Sequence, residues 1–150
     1  MPRSARSFPV RLGAMFLLAT LSLTACGEKQ PTAAEAGETL KAHILKLLKE
    51  VNAKNIQITD PGGKDIPCGE GRAKRTFAAI GKDTAQQTKP EILNTQLLGA
   101  LNEFADYRMA NSESNALRAT SESAKTSLEL GSKEIGQYAI QGETNCLNQS

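Results

Sequence analysis

The chain has no tryptophan, two tyrosines, four phenylalanines and one histidine in 150 residues. Two of the phenylalanines, Phe8 and Phe16, fall within the first 25 positions. Scarce aromatics argue against a carbohydrate-binding surface and against a tight hot-spot interface, both of which lean on such side chains. No Gly-x-x-x-x-Gly-Lys-Ser/Thr loop is present to cradle nucleotide phosphates. No serine stands in a Gly-x-Ser-x-Gly elbow. The one histidine, His43, and the three cysteines are not spaced as zinc ligands. The longest apolar stretch, Leu12 to Leu23, is about a dozen residues, well short of the roughly 20 that span a bilayer comfortably.

That short stretch follows a segment, Met1 to Arg11, that carries Arg3, Arg6 and Arg11 and no acid. A positive start followed by an apolar run of this length reads as a secretory signal. It ends in Leu23-Thr24-Ala25-Cys26. The order of basic start, apolar run, small residues and cysteine resembles a bacterial lipobox. The resemblance covers residues 1–26 and implies signal recognition at Leu23, Thr24 and Ala25. It also implies diacylglycerol on the Cys26 sulfur, cleavage before Cys26 and an acyl chain on the new amino group. Anchoring by two or more acyl chains is stable where one is marginal, because each buried CH₂ contributes about 0.8 kcal/mol. The expected localisation is the extracytoplasmic face of a cell membrane.

Removal of residues 1–25 takes Arg3, Arg6 and Arg11 with it, so 18 basic residues become 15 against 16 acidic, a net of −1. The apparent basicity belongs to the signal, and nothing points to nucleic acid. In an oxidising compartment, lipidation of Cys26 leaves Cys68 and Cys146, which we expect to pair. Such a bond closes most of the domain and is worth on the order of 4 kcal/mol in the chain-entropy picture.

Residues 26–37 read as a lipidated tether and 38–146 as one α+β domain, with a disordered tail at 147–150. Leu40, Ile44, Leu47, Leu48 and Val51 form a stripe at helical spacing, and Thr32 with Glu35 offers a capping box that would start the helix earlier. Ile56 to Thr59 alternates as a strand, and Asp60-Pro61-Gly62-Gly63 ends it. Asp65 to Cys68 is a short extended piece. Arg72 to Ile80 reads as one strand with Arg75, Phe77 and Ala79 on one face. Pro90 opens a second helix, with Leu93, Leu97, Ala100, Leu101, Phe104 and Tyr107 along one side and Gly99 placed to let it lie close to the sheet. From Arg108 to Thr144, turn-like breaks at Asn111–Ser114, Ser123–Ala124 and Gly131–Lys133 separate three or four strands of an antiparallel meander. The expected fold is two helices on one face of an antiparallel sheet, in the order α-β-β-α-β-β-β, which suggests an imperfect α-β-β duplication.

Few residues are candidates for chemistry. His43 reads as a partly exposed helix residue. Asp60, Asp65 and Glu70 share a glycine-rich loop but lack the order of acids in an EF-hand. An enzyme here would have to use carboxylates such as Asp60, Asp65, Glu103 or Asp106. Arg72, Lys74 and Arg75 are the densest basic group, read either as a charged strand edge or as contacts to anionic headgroups. No cofactor and no metal is expected.

The lipobox, the run Ile66-Pro67-Cys68-Gly69 before a strand with Phe77, and a terminal strand ending at Cys146 together resemble short lipoproteins of high-GC Gram-positive bacteria. That resemblance implies anchoring and the disulfide, and a protein facing the cell wall; it transfers no catalytic residue. The expected role is a non-enzymatic binding or accessory module with a bilayer partner through Cys26 and an extracytoplasmic protein or small ligand. An inhibitor or immunity lipoprotein, including one carried by a phage or mobile element, is the alternative, with a small-ligand or lipid carrier after it.

Overall fold

A computed structural model describes residues 29–110 and 116–149. Leu23, Thr24, Ala25 and Cys26, and the turn at Asn111–Ser114, lie outside the described residues. The fold is α+β, with two helices and nine strands among the described residues. Helix α1 (Ala33–Glu50) is followed by β1 (Lys54–Asp60), β2 (Ile66–Gly69), β3 (Arg72–Lys74) and β4 (Thr76–Lys82). Helix α2 (Pro90–Phe104) then leads to β5 (Arg108–Ala110), β6 (Leu117–Ser121), β7 (Thr126–Leu130), β8 (Gln137–Thr144) and β9 (Leu147–Asn148). All strand pairs are antiparallel. Six strands form the main sheet in the order β1-β4-β8-β7-β6-β5, and β2-β3-β9 form a small second sheet.

The first helix starts at a complete capping box. Glu35 N donates to Thr32 Oγ1 at 3.2 Å and Thr32 N donates to the Glu35 carboxylate at 2.8 Å, which satisfies two of the donors a helix start leaves open. Ala33 and Ala36 are already buried, against Ala73 and Leu147. Residues 33–37 are therefore the first turn of the helix and part of the domain. The same cluster corrects the reading of the tail. Leu147 and Asn148 pair with Ala73 and Arg72, and the backbone N–H of Gln149 donates to the carbonyl of Gly71. A buried leucine flanked by ladder bonds outweighs the polar composition of its neighbours.

Arg72 to Ile80 is two strands. β3 turns toward β2 and β9, while β4 enters the main sheet between β1 and β8. The break falls at Arg75. Its backbone N–H bonds the Thr144 hydroxyl and its carbonyl accepts from the Thr144 N–H, so the chain stays tied to the end of β8 as it changes sheets.

Helix α1 lies across β4 and β8, and α2 lies beside it on β8 and β7. Leu40, Ile44, Leu47 and Leu48 from α1 meet Leu93, Leu97 and Leu101 from α2 over Phe77, Ala79, Leu128, Leu130, Tyr138 and Ile140 of the sheet, all buried. Period-2 alternation puts these sheet residues on one face, as in the burial of β4 and β7. At the centre, Gly142 of β8 leaves room for α1. A Cβ there would come within 2.7 Å of Leu40 Cδ1 and of the Ser127 carbonyl oxygen.

Gly99 behaves otherwise. It lies on the exposed side of α2 with nothing within 4 Å of an added Cβ, so the expectation that it lets the helix approach the sheet is wrong. The two glycines predict opposite responses. Gly142→Ala forces contact with a backbone carbonyl and should lower unfolding stability by roughly 1–3 kcal/mol. Gly99→Ala should raise it by up to about 1 kcal/mol through helix propensity. Urea denaturation of the two variants checks both signs.

Candidate functional site

The second face of the main sheet is bare of helices among the described residues. It carries Thr76, Ala78 and Ile80 of β4, Ala139, Gln141 and Glu143 of β8, Ser127 and Glu129 of β7, and Arg118 of β6, placed opposite one another by the strand register. These side chains are exposed or partly exposed. A groove of about 310 Å³ runs over them, lined by Asp60, Thr76, Arg118, Glu129, Gln141 and Glu143 among others. A second, of about 230 Å³, continues past Ile80 and Ala139 to Lys133. The two grooves adjoin through Ala78, Glu129 and Gln141 and share a mixed polar lining.

Asp60 reaches this face through irregular pairing. β1 slips register between Ile58 and Asp60, so that Ile58 stands opposite Ala79 and Asp60 opposite Ala78. That slip moves the carboxylate from the helix side to the open side. Its Oδ2 accepts from Thr76 Oγ1 at 2.6 Å and its Oδ1 from the Gly62 backbone at 2.9 Å. Those two hydrogen bonds hold the carboxyl below the usual range. Glu143 pairs with Lys74 at 3.4 Å, and Glu129 lies opposite Arg118 on one side and Gln141 on the other.

The other candidates are dispersed. Asp65 pairs with Arg75 at 2.7 Å, and Glu70 is exposed at the β2–β3 turn. The three loop acids thus do not converge, and no group of three or more metal-ligating side chains occurs among the described residues. Glu103 is exposed on α2. Asp106 accepts from Ser121 Oγ at 2.8 Å and Ser123 Oγ at 2.9 Å, and these bonds hold it below the ordinary carboxylate range. The basic group is likewise divided. Arg75 packs its stem against Gly37 of α1 and is only 19% exposed. Lys74 is paired with Glu143, while Arg72 is exposed next to Gly69. Cys68 and Cys146 form the expected disulfide, with Cα atoms 5.9 Å apart, and it ties the chain end to β2.

His43 belongs to a chain that crosses the helix layer. Its Nδ1 lies 3.0 Å from the Tyr107 hydroxyl, which lies 2.6 Å from Thr126 Oγ1 of β7. The ring also meets Phe104 and Tyr107 edge-on, and Lys46 Nζ sits 4.6 Å over Phe104. Tyr107 stands three residues beyond the end of α2, so it lies off the helical stripe yet is buried. Burial pushes its phenol up. No sequence periodicity connects residues 43, 107 and 126; the one clue was a polar ring one position off an apolar stripe.

Comparison with known protein families, with curated proteins and with solved structures gives no match.

The histidine makes a pH prediction. Desolvation lowers its pKa first, with Lys46 acting the same way and Asp106 against it. The folded state therefore binds the proton less well than the unfolded chain, whose histidine titrates at about 6.5. The contribution of neutral His43 is complete above that value and is lost as the pH falls through the window below it. Thermal melts from pH 7.5 to 5 should show declining stability, and the decline should flatten in His43→Asn, which keeps an acceptor near the Nδ1 position.

Proposed function

We propose that the chain is a membrane-anchored extracytoplasmic lipoprotein whose domain acts as a non-enzymatic binding or accessory module through the open face of its main sheet. The observation that carries the reading is the asymmetry of that sheet. One face is sealed by both helices, while the other carries a curved, charged and polar groove. Open antiparallel faces suit recognition of a polar or extended partner, since the strands hold side chains at fixed spacing.

Two further observations support it. The space between helices and sheet is filled by leucines, isoleucines and aromatic rings. A carrier that sheltered lipid there would have to displace fully buried side chains, so the carrier alternative retains only the open face. Of the carboxylates weighed for catalysis, Asp60, Asp65 and Asp106 are tied into separate hydrogen-bond sets and Glu103 stands exposed on α2, which favours binding over proton transfer.

The anchor would be short. With cleavage before Cys26, six residues precede Thr32, and at most about 3.6 Å each they reach roughly 20 Å. The start of α1 and the small sheet packed on it then stay close to the bilayer. Cys26→Ala should release the protein from membranes or leave it unprocessed, as fractionation would show; tight retention of a processed form would refute lipidation. For the binding face, a photo-crosslinker replacing Gln141 should capture one discrete species in cells. Capture should fall several-fold when Arg118→Glu is added, and be absent from a crosslinker at Glu38 on the far side of α1. Equal capture from both positions would move the binding surface away from the sheet.

A further inference from the structure

We infer that β1 is the seam of a twofold homodimer, the edge strand of one copy pairing antiparallel with β1 of a second copy, Gln57 opposite Gln57. Among the described residues β1 pairs only with β4 and ends the main sheet. Its outer backbone groups are a template for another strand. It is exposed along nearly its whole length, including Ile56 at 37% and Ile58 at 49%.

The register follows from self-complementarity. In a twofold antiparallel pair the same backbone groups must face each other, so the centre falls on a residue. Centred on Gln57, the arrangement sets Ile56 opposite Ile58 twice and Lys54 opposite Asp60 twice. Moving the centre to Ile56 sets Lys54 against Ile58, and moving it to Ile58 sets Ile56 against Asp60. Only the first register matches apolar with apolar and cation with anion.

The faces agree as well. Ile58 stands opposite Ala79 and Ile56 touches the space over Gly81, so both isoleucines lie on the helix side. Register slips at both ends of β1 turn Lys54 and Asp60 to the open side, where they stand opposite Lys82 and Ala78. In the dimer the four isoleucines would extend the core stripe, and the two ion pairs would lie together on the other face. Within one copy Lys54 faces Lys82, an unfavourable like-charge pair. The Asp60 of a second copy supplies the missing counter-charge. An isologous contact of this kind closes on itself.

The test is disulfide trapping in the full chain in its own membrane, with the unsubstituted chain as the zero reference. Gln57→Cys places two thiols across an antiparallel pair, with Cβ atoms about 5 Å apart, close to bonding range. Thr59→Cys places them four positions apart, roughly 13 Å. Mild oxidation should give several-fold more covalent dimer from Gln57→Cys than from Thr59→Cys. Adding Ile58→Lys to Gln57→Cys should return it to the reference, with thermal melts confirming that the domain still folds. Little dimer from Gln57→Cys, or as much from Thr59→Cys, would overturn the proposal.

Discussion

The main sheet is joined by one strand. β8 is hydrogen-bonded to β4 on one side and β7 on the other. Without it, the antiparallel pair of β1 and β4 and the meander of β5 to β7 share no backbone bonds among the described residues. Helix α1, at the other end of the described chain, packs on β4 and β8 together. The core thus depends on bringing the last long strand under the first helix, and at Gly142 the missing side chain makes room for Leu40. Contacts so distant in sequence cost loop-closure entropy before they return any stability, which makes this a slow-folding arrangement by topology.

The small sheet solves a different problem. β2, β3 and β9 bury little, only Ala73 and Leu147 against Ala33 and Ala36. Strands of two to four residues would not persist on that burial alone. The disulfide supplies the rest by holding β2 to the turn before β9, and Arg75, wedged between Gly37 and Asp65, fixes the crossing between the two sheets. Covalent restraint, capping box and ion pair meet at the end of the domain where the chain enters and leaves.

Much of this was legible in the sequence. The stripe from Leu40 to Val51, the capping box, Pro90 at the head of α2 and the alternating strands are local signals, set by periods of 3.6 and 2, and they produced the α+β order. The pairing of Cys68 with Cys146 followed from counting thiols. What escaped was whatever depends on distant partners. The run from Arg72 to Ile80 holds no glycine, proline, asparagine or aspartate to mark a turn, and only its two different neighbours divide it at Arg75. Leu147 looked like part of a polar tail because its burial comes from Ala33 and Ala36. His43 and Tyr107 find each other across 64 residues. The open face was invisible because an alternating strand shows that one side is polar, but not that the polar sides of several strands together form a curved groove.

The disulfide also has an order in time. Under the proposed export, the chain would present Cys68 to the oxidising side long before Cys146 follows 78 residues later. During that interval the one other thiol available within the chain is Cys26. Under the proposed processing, that sulfur becomes a thioether. Lipid attachment would then do more than hold the domain to the bilayer: it would remove the only intramolecular competitor for Cys68 while its true partner is still on the other side of the membrane.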